Sequence, residues 1–314
     1  MAHTLRRSAR ALLTAALGTA AACGTAAEAR APATAQRLHT IQGLGFPESV
    51  RYDPDQDVFF VSNMLGPGSL KDGNGYVVRV DAASLRRVEV FAQGGVNGAT
   101  LHAPKGMALQ GDTLWVTDID VLRGFHRRTG APVATLDLRP HQAVMLNDVA
   151  VGPDGTMRVT DTGIAMTDKG VLYRGGDRVF AIGPGRTVSV VAQGAGLGRP
   201  NGVTWDPEGK RWIVVSFDPF RSEVYALGEG GGDARTVLAR GTGKFDGVER
   251  LEDGTLLVTC WSDSSLHVIR GGRDERVIRN LWQPADLGVD TRRGRVLIPL
   301  ALQGRVEVWR LPES

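Results

Sequence analysis

One short segment returns six times along this chain, and that recurrence narrows the folds open to it more than any bulk property does. Its clearest form is Pro200-Asn201-Gly202-Val203-Thr204-Trp205-Asp206-Pro207. Relatives begin at Pro47-Glu48, Pro104-Lys105, Leu146-Asn147, Phe245-Asp246 and Pro284-Ala285. Each starts with Pro or a bulky apolar residue, passes one position of changing chemistry and a small or polar residue, and enters a short strand-like run. The changing position reads Glu48, Lys105, Asn147, Asn201, Asp246, Ala285. Repeats spread over a whole chain mean stacked or radially arranged units, and units arranged about an axis would turn these six side chains toward one another.

Each unit is built of strands. A hairpin turn follows the first strand, at Gly111-Asp112, Pro153-Asp154-Gly155, Pro207-Glu208-Gly209 and Asp253-Gly254. Second strands follow as Val58–Ser62, Leu114–Thr117, Met157–Thr160, Trp212–Val215, Leu256–Thr259 and Val296–Pro299. Third and fourth strands complete units one to five, whereas the sixth stops after Arg305–Arg310. A ring of four-stranded blades with one strand missing has open edges unless the other chain end supplies it. Arg37–Gln42, an alternating stretch ahead of the first unit, is the spare strand. The expected fold is all-β: a six-bladed β-propeller whose sixth blade is closed by the N-terminal strand, with no amphipathic helix beyond the leader.

Residues 1–30 read as a signal peptide and leader, and 31–314 as a single propeller domain. Arg6, Arg7 and Arg10 precede an Ala/Leu run ending near Ala22, with small-residue cleavage options such as Ala27-Glu28-Ala29. That run is too short for the about 20 residues of a membrane span. The expectation is an exported protein, periplasmic or secreted, with no transmembrane helix in the mature chain; Ala22-Cys23 is a poorly formed lipidation site. Removing the leader lowers the formal net charge from +3 to about +1. No basic cluster with interleaved aromatics remains, which argues against nucleic acid and for a small-molecule substrate. With Cys23 in the leader, Cys260 stands alone in an apolar run and reads as a buried, inert thiol.

In such a propeller the start of the first strand and the link from second to third strand share one end. The six positions therefore share a face with the loops 63–75 and 161–177, which would wall a pocket over the central shaft. Glu48, Asn147, Asn201 and Asp246 offer oxygen donors and two negative charges. Singly, each Asn or Asp is an ordinary turn cap; as a set at one repeat position they make a site for a hard divalent cation. Calcium, which takes six to eight oxygens and leaves room here for water and substrate, suits it best. Magnesium, manganese and zinc are the alternatives, zinc least favoured because no His or Cys occupies the ring.

These residues also carry a resemblance. Glu in the first blade, Asn-Asp in the third, Pro-Asn-Gly in the fourth and Asp-Gly in the fifth resemble the metal pattern of the senescence-marker-protein/gluconolactonase-like family, which includes regucalcin. They fall here on Glu48, Asn147-Asp148, Pro200-Asn201-Gly202 and Asp246-Gly247. Paraoxonases and diisopropylfluorophosphatase have a similar calcium constellation. The resemblance implies hydrolysis of a lactone or related ester at one divalent ion. Two departures concern the substrate. Met145 stands where sugar-lactone members carry an Arg, which favours a less polar lactone or ester, and Lys105 stands where paraoxonases have a His.

The expected roles follow. Asp246 is the first candidate for the base, with Lys105 and His102 as alternatives. Lys105, Asp118, Asp161 and Trp261 are candidates for contact with substrate, Lys105 as an oxyanion or carboxylate partner and Trp261 as an apolar wall. The ordinary alternatives are a structural ion pair for Lys105, a loop histidine for His102 and turn caps for the two aspartates. The rival function is a non-catalytic propeller that binds a ligand or partner, the ion being structural.

Overall fold

Phe59 and Phe60 are neighbours in sequence, and both are fully buried. Successive strand residues face opposite sides of a sheet, so a strand that buries both must have partners on both faces. The computed structural model, which describes residues 34–312 apart from 87 and 229–234, shows what those partners are. Phe59 packs with Val306, Val308 and Ile41 of the last blade, and Phe60 with Leu114, Val116 and Phe125 of the second. Each sheet is thus sandwiched between two others. The same holds around the ring: six apolar clusters fill the six gaps between neighbouring blades. Truncating a residue such as Phe59 to Ala costs about 3–5 kcal/mol in a core of this kind.

Six four-stranded antiparallel sheets account for most of the strands, as expected for a six-bladed propeller. The first is Pro47–Asp53, Val58–Asn63, Tyr76–Asp81 and Val88–Gln93 from axis to rim. Outer strands are partly bare, with Val90 and Val133 exposed. The sixth sheet joins Gly288–Asp290, Arg295–Leu300 and Arg305–Arg310 to Gln36–Gln42. Gln36 pairs with Arg310 and Gln42 with Arg305, so the spare N-terminal strand does close the ring. The leader and Cys23 lie outside the described residues.

Three local details differ from the sequence expectation. The segment 161–177, read as a plain loop, carries its own hairpin, Ile164–Thr167 with Gly170–Tyr173. The first strand of the sixth blade is short, with Pro284 and Asp286 held only by single bridges to Leu300 and Ser49. Helical structure among the described residues is limited to three short 3-10 turns, and no helix there is long and apolar enough to cross a membrane.

The feature that builds the site is a bulge. In blade 1, Pro47 pairs with Asn63 and Val50 with Val61, which leaves one extra residue on the first strand at Glu48-Ser49. The same irregularity falls at Lys105-Gly106, Asn147-Asp148, Asn201-Gly202 and Asp246-Gly247. A bulge bends its strand and re-aims a side chain, and here it does so at every changing position of blades 1 to 5. Glycine follows the bulged residue in three blades because the neighbour is close. A methyl group on Gly106 would lie 2.5 Å from the Asp148 Cα, and one on Gly247 2.7 Å from the Asp286 Cα. Hydroxyls on the second strands tie the bulges together: Thr117 donates to the Asn147 carbonyl, Thr160 to that of Asn201, and Thr259 to that of Ala285.

Candidate metal centre

Glu48, Lys105, Asn147, Asn201, Asp246 and Ala285 all line one cavity at the axis, about 460 Å³ of empty space. None of the six is more than 5% exposed. The expected loops wall it, through Met64 on one side and Thr162, Ile164 and Met166 on the other. Phe46, Met145, Phe217, Trp261 and Ala301 complete a mostly apolar lining.

Within that lining, Glu48 Oε2, Asn147 Oδ1, Asn201 Oδ1 and Asp246 Oδ1 are buried and have no hydrogen-bond partner. An orphaned buried oxygen is costly, and four at one cavity call for a shared partner with positive charge. Their electrostatics point the same way. Burial pushes the Glu48 carboxyl well above its usual range, the charges of Asp246 and Asp286 push it further, and Lys105 opposes them. Asp246 is likewise raised, by burial and then by Asp286. The donor set is all oxygen, carries two carboxylates and fits a hard divalent cation such as calcium.

Lys105 faces the cavity but is not loose within it. Its ammonium donates to the carbonyls of Gly68, at 2.8 Å, and Ala103, at 3.0 Å, and so anchors the loop 63–75 over the site. Burial lowers it to about 8, with the charges of Glu48 and Asp118 working the other way. Trp261 is in the lining, as expected. Asp118 and Asp161 are not. Asp118 Oδ1 accepts from the backbone of His102 and Ala103, and its other oxygen from Arg123. Asp161 accepts from the backbone of Val144, Met145 and Gly163. Both carboxylates serve as buried turn caps, the ordinary role of a short acid at a strand end. His102 also stands apart, its Nδ1 accepting from Gly73 N and its ring lining a separate polar cleft with Lys71 and Arg123. Cys260 is buried, donates to the Gly243 carbonyl, and burial raises its thiol to about 11.

Sequence reasoning missed most of the apolar lining. Phe46 and Met64 lie outside the strands, and Ile164 and Met166 lie on the short hairpin strand of a segment that reads as loop in the sequence. Asp286 was missed too, although an acid beside a ring position was a visible signal. Below the ring, Asp148, Asp286, Arg51 and Glu249 continue the polar shaft. Arg51 donates to Glu249 Oε1 at 2.5 Å and to the Met107 carbonyl. Asp148 accepts from Val149 N and Val203 N, and Ser49 donates to Asp286. Burial lifts Asp148 to about 7 against the pull of Arg51.

Fold and cavity together define a six-bladed propeller with a ring of buried oxygen donors around its axis. The chain belongs to the SMP-30/gluconolactonase/LRE-like family, whose profile matches residues 46–287, a span that holds all six ring positions. No curated protein matches the sequence. Among solved structures it is similar to a gluconolactonase from Xanthomonas campestris, at 18% identity over 88% of this chain and 89% of that one, with a TM-score of 0.68. A luciferin-regenerating enzyme is similar at 12% identity, covering 90% and 96% of the two chains, with a TM-score of 0.65. The PQQ-bound aldose sugar dehydrogenase of Streptomyces coelicolor follows at 16%, 89% and 99%, with a TM-score of 0.63. These likenesses are likenesses of fold, shared by proteins of different chemistry.

Proposed function

We propose that this protein is an exported, divalent-cation-dependent hydrolase of lactones or esters, with calcium the best-suited ion, held by Glu48, Asn147, Asn201 and Asp246. The observation that carries this reading is the set of four orphaned, buried oxygens on exactly one donor from each of those residues. Family membership supports the reaction class, and the leader of residues 1–30 supports export.

A cation bound there would polarise the substrate carbonyl and stabilise the charge that develops on its oxygen. The rest is done by the chain. Asp246, kept from water and next to a second acid, is suited to take the proton of the attacking water. Lys105, fixed by two carbonyls, places a positive charge beside the carboxylate product. Met145, Met166, Ile164, Phe217 and Trp261 hold the alkyl or aryl part of the substrate and exclude solvent. With Met145 in place of a polar residue, this wall favours a less polar lactone or aryl ester over an aldonolactone.

The test is hydrolysis of a panel of lactones and aryl esters by metal-stripped protein, with and without calcium, magnesium, manganese or zinc. Turnover restored by the ion, and highest on the less polar substrates, is the expected outcome. Metal-dependent stability with no turnover on the panel would overturn the enzymatic reading in favour of a ligand-binding propeller.

A further inference from the structure

A second group of ligating side chains lies in blade 5, outside the ring. Cys260 ends the strand Leu256–Cys260, Asp263 sits in the turn that follows, and His267 lies on the next strand, Ser265–Arg270. One ligand atom from each of the three falls within 4.8 Å of the others. All three are sheltered, with side-chain exposures of 5% for His267 and 10% for Asp263, and with Cys260 fully buried.

The imidazole is oriented from both sides. Its Nδ1 lies 2.7 Å from Asp274 Oδ1, and its Nε2 points at Asp263 Oδ2, 3.1 Å away. A histidine whose Nδ1–H is held by a carboxylate presents Nε2 as a ligand of fixed tautomer, the arrangement that accompanies most histidine-bound metals. Ligand atoms around a tetrahedral zinc ion, with bonds of about 2.0–2.3 Å, stand roughly 3.2–3.8 Å apart. The His267–Asp263 pair is already near that spacing, and the Cys260 sulfur lies within 4.8 Å of both.

We propose that Cys260, Asp263 and His267 form a second metal site, for zinc, with water in the open fourth position and Asp274 as the positioning residue for His267. A thiolate and a carboxylate cancel the charge of the ion, so the loaded site is neutral within its sheltered pocket. Loading displaces the Cys260 thiol proton, since the thiolate is the ligand. Sulfur and nitrogen donors select zinc over calcium, whereas the all-oxygen ring selects the reverse. Ser265 donates to Asp263 Oδ1, and the half-exposed Arg276 lies 3.7 Å from Oδ2, so the carboxylate is also held by its neighbours. The ion's structural effect falls on the turn between Cys260 and Asp263. That turn carries Trp261, the indole wall of the central cavity.

The test uses the full chain with Cys23→Ser, which leaves Cys260 the sole thiol of a sequence with two cysteines. After metal stripping, calcium is added in excess to occupy the ring and cobalt(II) is titrated as a spectroscopic stand-in for zinc. One equivalent should raise a thiolate-to-cobalt charge-transfer band together with intense tetrahedral visible bands. Zinc should abolish both and calcium neither. Asp246→Ala should leave the spectrum intact. Asp274→Asn should keep the band but weaken cobalt affinity about 10- to 100-fold, and Cys260→Ser should remove it. No charge-transfer band from protein with native circular dichroism would overturn the proposal, as would a band that disappears in Asp246→Ala. If the Cys260 and Asp274 variants fold poorly, the parent protein still decides, because that band needs a thiolate and only one thiol is present.

Discussion

The upper and lower halves of the central shaft carry similar residues and treat them in opposite ways. In the lower half, Asp148 is capped by two backbone N–H groups, Asp286 accepts from Ser49, and Glu249 is matched by Arg51. Asp286 Oδ1 is the one carboxylate oxygen there left over. In the upper half, one to three residues away along the chain, four oxygens are left without any protein partner. The difference lies in the backbone. The bulge turns the ring residues off the sheet and into the cavity, beyond reach of neighbouring N–H groups, while the residues just after it return to the strand and find partners in the next blade. Lower-half charges are matched within the protein, and in the upper half Lys105 is too, by two carbonyls; the upper-half acids Glu48 and Asp246 are the groups that the proposed function assigns to a cation.

The hardest test of that contrast is Asp246→Ala. It should reduce turnover to background, by about 10³-fold or more, and abolish the rise in melting temperature that calcium produces, while the metal-free protein stays folded. Retained calcium-dependent turnover in that variant would erase the distinction.

Arg51→Met probes the other half. It strands Glu249 beside Asp148 and Asp286, and should cost about 3 kcal/mol in denaturant unfolding, the low end for breaking a buried pair because Arg51 keeps some exposure. Turnover per folded molecule should hold. Pairing it with Glu249→Leu should recover much of the loss; a larger effect on activity than on stability would mean that the lower half serves the chemistry after all.

The third effect is a slope. Glu48 and Asp246 have raised values in the metal-free fold, so above the ordinary carboxylate range of about pH 4, and until those raised values are passed, the folded chain holds more protons than the unfolded one. Stability of the stripped protein should then fall as pH rises, by up to about 1.4 kcal/mol per pH unit for each carboxylate. A cation binds the ionised forms, so calcium should flatten or invert that slope. Melting curves at several pH values, with and without calcium, check the sign, and identical slopes would count against metal binding at these acids.

Much of this architecture was legible because repetition is visible without coordinates. The six changing positions could be aligned on their flanking Pro and Gly residues, and a missing fourth strand at one end could be matched to a spare at the other. What escaped was set by tertiary geometry. Asp118 and Asp161 are the right chemistry at the right end of the propeller, but nothing local says that each turns inward to cap a loop of its own blade. The bulges left no pattern, since one extra residue in a strand looks like a strand. Ile164 and Met166 reach the cavity because a hairpin folds over it, and that hairpin was hidden in a segment rich in Gly and charge. Asp274 and His267 are seven residues apart on adjacent strands, close only through the register that pairs Ile269 with Asp274.

Closing the ring with Gln36–Gln42 makes order of synthesis matter. Among the described residues the first strand pairs with the last, and Arg37 meets Glu307 across 270 residues of chain. Bringing such ends together costs about 5 kcal/mol of loop entropy, a cost returned only once the sixth blade locks against the first. Until then the Arg305–Arg310 edge of the last blade is unpaired and one face of the first blade is uncovered, and the slow, non-local step of folding is the one that completes the circle. On the proposed function, affinity for an axial ion would thus be a property of a finished molecule: a nascent or nicked chain could carry every ligand and still have no site.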